Sequence, residues 1–192
     1  DTQLSKLYSE GNFKAFLTSA VKIKKNIIVS GGTSTGKTTL LNALIKEIHS
    51  ESRIISLEDP RELNLSNQPN SLSLIAKKGE GGSTPTQMVD LVQASLRLRP
   101  DRILLGEIRG KEILDFLGAC STGHEGGMTS IHSDSTQRAF MRMKQLYKLN
   151  NVPSMTDENI LEEIHDVVDV IVQLKKGASG RYISDIYFKG DQ

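Results

Sequence analysis

Cysteine is almost missing from this chain: Cys120 is the only one among 192 residues. No internal disulfide can form, so the fold must stand on its apolar core, and a reducing compartment such as the cytosol is expected. A lone cysteine in an apolar stretch reads as a small buried side chain. Tryptophan is absent, and four Tyr with five Phe make only nine aromatic residues. That is too few to lay out a stacking track for single-stranded nucleic acid. Neither sign of charge dominates, since 24 Lys and Arg stand against 23 Asp and Glu for a formal +1. Such a balance gives no strong field toward DNA or an acidic membrane surface. No apolar run approaches the ~20 residues of a membrane-spanning helix, and no secretory signal opens the chain. Any membrane role is therefore expected to be peripheral.

What is present is a complete phosphate-binding loop. Residues 31–38 read Gly31-Gly32-Thr33-Ser34-Thr35-Gly36-Lys37-Thr38, the pattern G-x-x-x-x-G-K-[ST]. In that motif consecutive backbone N–H groups curl around phosphates, the lysine reaches the β and γ oxygens, and the next hydroxyl ligates Mg²⁺. Its context fits, because the β-branched run Ile27-Ile28-Val29 leads in and Leu40, Leu41, Leu44, Ile45 and Ile48 follow at helical spacing. A helix starting there adds its free N–H groups and dipole to the anion site. Nucleoside triphosphate binding is the expectation, with Gly32 to Thr39 as the cradle and Thr38 on the metal.

The rest of the chain alternates strands and helices. Two short helices are expected between Gln3 and Ala20, broken at Gly11-Asn12. Strands are expected at 26–30, 53–57, within 64–76 as an edge strand, at 103–105 and at 128–131. Helices are expected at 38–49, from Thr84-Pro85 with Met88, Val89, Leu91, Val92 and Leu96 as its buried stripe, at 111–121, at 135–149 and at 156–165. Gly79 to Gly82 reads as a flexible loop. Asp166 to Leu174 and Arg181 to Phe188, separated by Gly177-Ala178-Ser179-Gly180, read as a closing antiparallel hairpin. This alternation argues for an α/β fold with a mostly parallel sheet covered by helices.

In such a sheet ligands collect at the carboxyl ends of strands. Glu58-Asp59 stands where one expected strand stops at Pro60, and Glu107 follows Ile103-Leu104-Leu105-Gly106. Carboxylates beside a Mg²⁺-phosphate site have a use, since phosphoryl transfer to water needs charge neutralisation and an oriented nucleophile. Glu107 occupies the place of a Walker B acid and would polarise water or hold the metal's shell, although Gly106 replaces the usual metal-associated Asp. His124 and His132, eight apart in a glycine-rich segment, do not match metal-ligand spacing and make zinc an unfavoured reading.

Four segments together resemble one family. Gly31 to Thr39 is similar to its phosphate loop, Ile54 to Leu63 to its "Asp box", Arg99 to Arg109 to its atypical Walker B with glycine before the acid, and Gly123 to His132 to its "His box". The family is that of the secretion traffic ATPases, and the wording of the first and last segments is most similar to its VirB-type branch. The resemblance implies a RecA-like P-loop NTPase fold, a homo-hexameric ring with ATP and Mg²⁺ at subunit interfaces, and inner-membrane components of a secretion apparatus as partners. It implies Glu107 as catalytic acid with Lys37, a supporting Glu58, and His124 and His132 in sensing or coupling. Arg97, Arg99, Arg102 and Arg109 are candidates for γ-phosphate or interface contacts, Arg109 among the nucleotide ligands. Residues 1–25 are read as linker and opening helix and 26–192 as the motor domain, with the family's N-terminal domain absent. The protein is thus expected to sit in the cytoplasm, peripheral at the inner membrane. A DNA-translocating ATPase and a nucleotide-gated assembly scaffold remain the alternatives. No Asn-Lys-x-Asp guanine-reading motif occurs, and a small-molecule kinase would leave the acid and histidine boxes without a use.

Overall fold

The computed structural model describes residues 2–77 and 84–191. The expected loop at Gly79 to Gly82 lies outside them. Seven strands form one sheet in the order β3-β2-β4-β5-β1-β6-β7. These are β1 (Ile27–Gly31), β2 (Ile54–Glu58), β3 (Ser71–Ile75), β4 (Arg102–Leu105), β5 (Met128–Ile131), β6 (Val170–Gly177) and β7 (Gly180–Phe188). All pairings are parallel except the antiparallel β6–β7 hairpin. The inner strands are buried on both faces, which is why they read as continuous Ile, Val and Leu runs rather than as alternations.

Helices α1 (Thr2–Ser9), α2 (Phe13–Lys22) and α3 (Lys37–Ile45) cover one face, packing Leu4, Phe16, Val21, Leu41 and Ile45 against Ile27, Val29 and Val172. Helices α4 (Met88–Leu96), α5 (Glu112–Ser121), α6 (Thr136–Lys148) and α7 (Asp157–Val167) cover the other, around Ile28, Ile55, Leu105, Ile131 and Ile171. Alternate residues of β1 thus feed opposite cores, as the two-residue strand period requires. The mostly parallel α/β architecture expected from the sequence is the one observed, hairpin included.

Several boundaries differ for identifiable reasons. The helix expected over 38–49 ends at Ile45, where the Gln68 side chain donates to the carbonyls of Ile45 and Ile48, 3.1 Å each, and satisfies the helix end. The helix expected from Thr84-Pro85 starts only at Met88. Thr86 instead pairs with Lys77 in an isolated bridge, and the Asp90 carboxylate accepts from Gln87 N at 3.0 Å to set the first turn. Its Leu96 is 36% exposed and leaves the inward stripe, while Ser95 is buried. The hairpin begins at Val170 rather than Asp166, because α7 runs on to Val167 and the Asp169 carboxylate turns inward to accept from Asn26 N at 2.8 Å.

Candidate active site

The phosphate loop connects β1 to α3 and is held in a fixed shape by its own backbone. Ser34 has φ +62° and Gly36 φ +98°, both left-handed, the backbone pattern by which such loops turn successive N–H groups toward an anion. A non-glycine residue in that region costs roughly 1–3 kcal/mol and persists only when neighbours impose it. Thr35 supplies part of that restraint, its hydroxyl donating to Gly32 O at 2.8 Å from a buried position. At the base of the loop Gly31 is packed so closely that a Cβ would lie 3.0 Å from Leu174 O of β6.

Lys37 opens α3 and is only 8% exposed. Its ammonium folds back onto the loop, donating to Gly31 O at 3.0 Å and Gly32 O at 2.9 Å. Burial lowers its pKa below the ordinary lysine value, against the pull of Glu107 and Glu62. An ammonium has three donors, so one remains for a ligand. Thr38, the expected metal ligand, donates instead to the Glu62 carboxylate at 3.0 Å. Thr39 is exposed on the first helical turn and does not line the cleft.

The cleft beside the loop encloses about 500 Å³ and is walled by Lys37, Thr38, Glu58, Glu107, Arg109 and His132 among others. These residues arrive from the carboxyl ends of β1, β2, β4 and β5, the edge where parallel sheets collect ligands. Glu107 follows β4 after Gly106. Its Oε2 accepts from Arg109 Nε at 2.6 Å and lies 2.5 Å from Nη2, while His132 Nε2 sits 2.9 Å from Oε1. That histidine contact has an ion-pair distance but not hydrogen-bond alignment, and Oε1 is buried without a hydrogen-bond partner among the described residues. A buried carboxylate oxygen left in this state is a place for a water or a cation.

Glu58 is 0% exposed, and both of its oxygens are engaged. Oε1 accepts from the backbone N–H of Glu62 and of Leu63, 2.7 Å each, and Oε2 from Ser56 Oγ at 3.4 Å. The carboxylate therefore ties down the segment after Pro60 and so positions Glu62 over Thr38. Gly106 faces it across the sheet, where a Cβ would stand 3.4 Å from Glu58 Cγ. An aspartate there would bring a second carboxylate against the first, which accounts for the glycine in front of Glu107.

The histidines separate. His132 follows β5 at the cleft, but His124 precedes β5 at the opposite edge of the sheet, with Nδ1 3.0 Å from Pro100 O. A carbonyl only accepts, so Nδ1 carries the proton. His124, expected with the nucleotide ligands, lies outside the cleft lining because the strand between the two histidines runs away from it. Among the arginines only Arg109 reaches the cleft. Arg102 is 2% exposed and donates to Val21 O at 2.6 Å and Gly126 O at 3.4 Å, its pKa lowered by burial to about 10. It is a structural tie. Arg97 and Arg99 both precede Pro100, outside the cleft lining.

Two contributors were not singled out from the sequence. Glu62 closes on Thr38 from across the cleft. Glu112, at the start of α5, accepts from Arg109 N at 2.6 Å and Gly110 N at 2.8 Å, which fixes the turn presenting Arg109. An acid three residues after an arginine at a helix start was the available signal for Glu112.

The donor set fits magnesium-bound nucleotide: a nest of N–H groups, a desolvated lysine with a free donor, a hydroxyl beside carboxylates and an unsatisfied oxygen on Glu107. Fold and site define a phosphate-loop α/β domain of the RecA-like class. Residues 2–177 match the family described as Type II/IV secretion system protein. The type IV secretion system protein VirB11 of Brucella suis is 34% identical over 194 residues, covering 98% of this chain and 54% of its own length. PtlH of Bordetella pertussis, also a type IV secretion system protein, is 36% identical over 187 residues, covering 95% and 55%. The crystal structure of the VirB11 ATPase from the Brucella suis type IV secretion system, in complex with sulphate, superposes with TM-score 0.90 at 34% identity over 99% of this chain and 56% of that one. The chain belongs to the type II/IV secretion system protein family. It spans about half the length of these relatives.

Proposed function

We propose that this chain is the motor portion of a type IV secretion ATPase, hydrolysing ATP to drive substrate translocation or pilus assembly. One observation carries the reading: the phosphate loop and Glu107, Arg109 and His132 converge on a single cleft from separate strand ends. Support comes from the named activity of the VirB11 ATPase, which this chain resembles over 99% of its own length and 56% of that one.

The loop amides of Gly32 to Thr38 hold the phosphates, and Lys37 turns from the Gly31 and Gly32 carbonyls toward the β and γ oxygens. Thr38, with Glu62 and Glu107 nearby, would hold Mg²⁺, which when bound neutralises phosphate charge. Glu107 takes up the proton of the attacking water through its unsatisfied Oε1 and His132 orients that carboxylate. Arg109, which pairs with Glu107, turns its guanidinium toward the γ-phosphate as negative charge develops there. Glu58 acts through the loop that it anchors. Residues 26–192 form the motor domain, with 1–25 as its opening segment. The full-length protein assembles as a hexamer, docks on inner-membrane components from the cytoplasmic side, and couples cleft closure to transport.

Calorimetric titration with MgADP and MgATP, alongside phosphate release, tests the site. Lys37→Ala is expected to lose binding, and Glu107→Gln to bind at parental affinity with turnover reduced at least 100-fold. Parental turnover in Glu107→Gln would refute the assignment.

A further inference from the structure

The cleft that holds Glu107, Arg109 and His132 lies to one side of the phosphate loop, against β5, β4 and β2, and no residue of β6 or β7 lines it. The γ end of a triphosphate must face that cleft if Glu107 is to reach the attacking water. A nucleotide's phosphates form a row, so its α end and nucleoside lie across the loop toward β6, the neighbour of β1 on the other side.

There the hairpin runs on past the loop. Leu174 is level with Gly31, and Lys175, Lys176 and Gly177 continue β6 as exposed residues. Lys176 stands opposite Arg181 in the antiparallel register, and Leu174 opposite Ile183. Leu174 and Ile183 pack in the core on the α3 face, so Arg181, two residues from Ile183, points to that same face. Its stem lies against the loop: a Cβ on Gly36 would be 3.2 Å from Arg181 Cδ. Arg181 is exposed and makes no hydrogen bond or ion pair among the described residues. Asp185, the acid further along β7, is taken by the Thr136 hydroxyl at 2.7 Å. A guanidinium resting beside a phosphate loop, and paired with nothing, is suited to a phosphate oxygen, which it can meet with two parallel N–H donors.

We propose that Arg181 binds the nucleotide from its nucleoside side, its guanidinium pairing with the α-phosphate while Lys176 adds positive potential. The inference rests on the nucleotide-binding reading above. It gives the C-terminal hairpin a role in holding substrate, separate from the chemistry at Glu107.

The test is titration of the full chain with MgADP and MgATP for the parent, Arg181→Ala and Arg181→Lys, with Lys37→Ala as the non-binding control. Arg181→Ala should weaken both nucleotides to a similar extent, about tenfold, because the α-phosphate is common to them. Arg181→Lys should recover only part of that loss, since a point charge remains while the paired donors are gone; a purely steric role of the stem would not give this graded order. Parental affinity in Arg181→Ala, or a lysine variant no better than alanine, would overturn the assignment to Arg181 alone. A parent that binds neither nucleotide would overturn the underlying site as well, so the two failures are told apart.

Discussion

Two adjacent glycines open the phosphate loop, and the structure predicts opposite outcomes for adding one methyl group to each. In Gly31→Ala the new Cβ would clash with Thr35 Oγ1 and stand 3.0 Å from Leu174 O and 3.3 Å from Leu174 Cβ. Thr35 can rotate away only by giving up its bond to Gly32 O, a loss of about 1 kcal/mol. Leu174 O cannot rotate, because it belongs to the strand paired with Gly31, and overpacking of that kind costs about 1–3 kcal/mol. The sum is roughly 2–4 kcal/mol, equivalent to a melting-temperature drop of roughly 5–15 °C for a domain of this size. Because Gly31 O and Gly32 O also hold Lys37, the distortion should weaken MgADP binding at least tenfold. In Gly32→Ala the nearest atom is Thr35 Cγ2 at 3.9 Å, ordinary contact, so its melting temperature should stay within about 2 °C of the parent. Differential scanning calorimetry of both variants, with and without MgADP, reads the comparison. Equal melting temperatures for the two variants would refute the packing argument.

Replacing Glu58 with Leu leaves the N–H groups of Glu62 and Leu63 without their acceptor and should cost roughly 2–5 kcal/mol in urea unfolding; Glu58→Gln, which keeps a carbonyl, should cost visibly less. Glu62→Gln keeps an acceptor for Thr38 but removes a charge, so it should leave stability within about 0.5 kcal/mol and weaken the Mg²⁺ dependence of nucleotide binding; unchanged metal dependence would remove Glu62 from the metal's surroundings. Cys120 is 1% exposed and burial pushes its thiol up to about 12, so the native chain should resist a thiol reagent at pH 8 that labels it at once in denaturant. The unfolded thiol ionises near 8.5. The folded state therefore keeps a proton that the unfolded state loses above that pH, and stability, full below about 8.5, should fall as pH rises toward 12. Between roughly pH 8.5 and 10, below the range in which Tyr8, Tyr147 and Tyr187 add losses of the same sign, Cys120→Ala should flatten that slope, and an unchanged slope there in equilibrium unfolding would exclude the thiol as its source.

Much of the architecture could be read along the chain because its signals are local. Apolar β-branched runs marked the buried strands, and the phosphate loop declared itself through glycines whose necessity is backbone geometry within eight residues. Glu107 could be picked out for the same reason, since its place one glycine past β4 is a matter of strand end. Less legible were element ends set by partners distant in sequence, such as the helix stopped at Ile45 by Gln68 or the hairpin start set by Asp169 and Asn26. The two histidines show the limit most clearly. Spacing of eight says nothing about where each lands until one knows that β5 lies between them and sends them to opposite edges.

The order of residues alone dictated a phosphate-cradling loop between strand and helix, acids at strand ends, and a parallel sheet with both faces covered, because all of these follow from backbone torsions and side-chain periodicity. Only packing in three dimensions settled which of those groups meet. Strand order placed β5 between the loop and β4, bringing His132 onto Glu107, while Arg102 became an internal tie to Val21 and Arg181 came to rest on Gly36. Those pairings join residues far apart along the chain, and no local preference encodes them; they exist because the sheet and its two cores admit one arrangement.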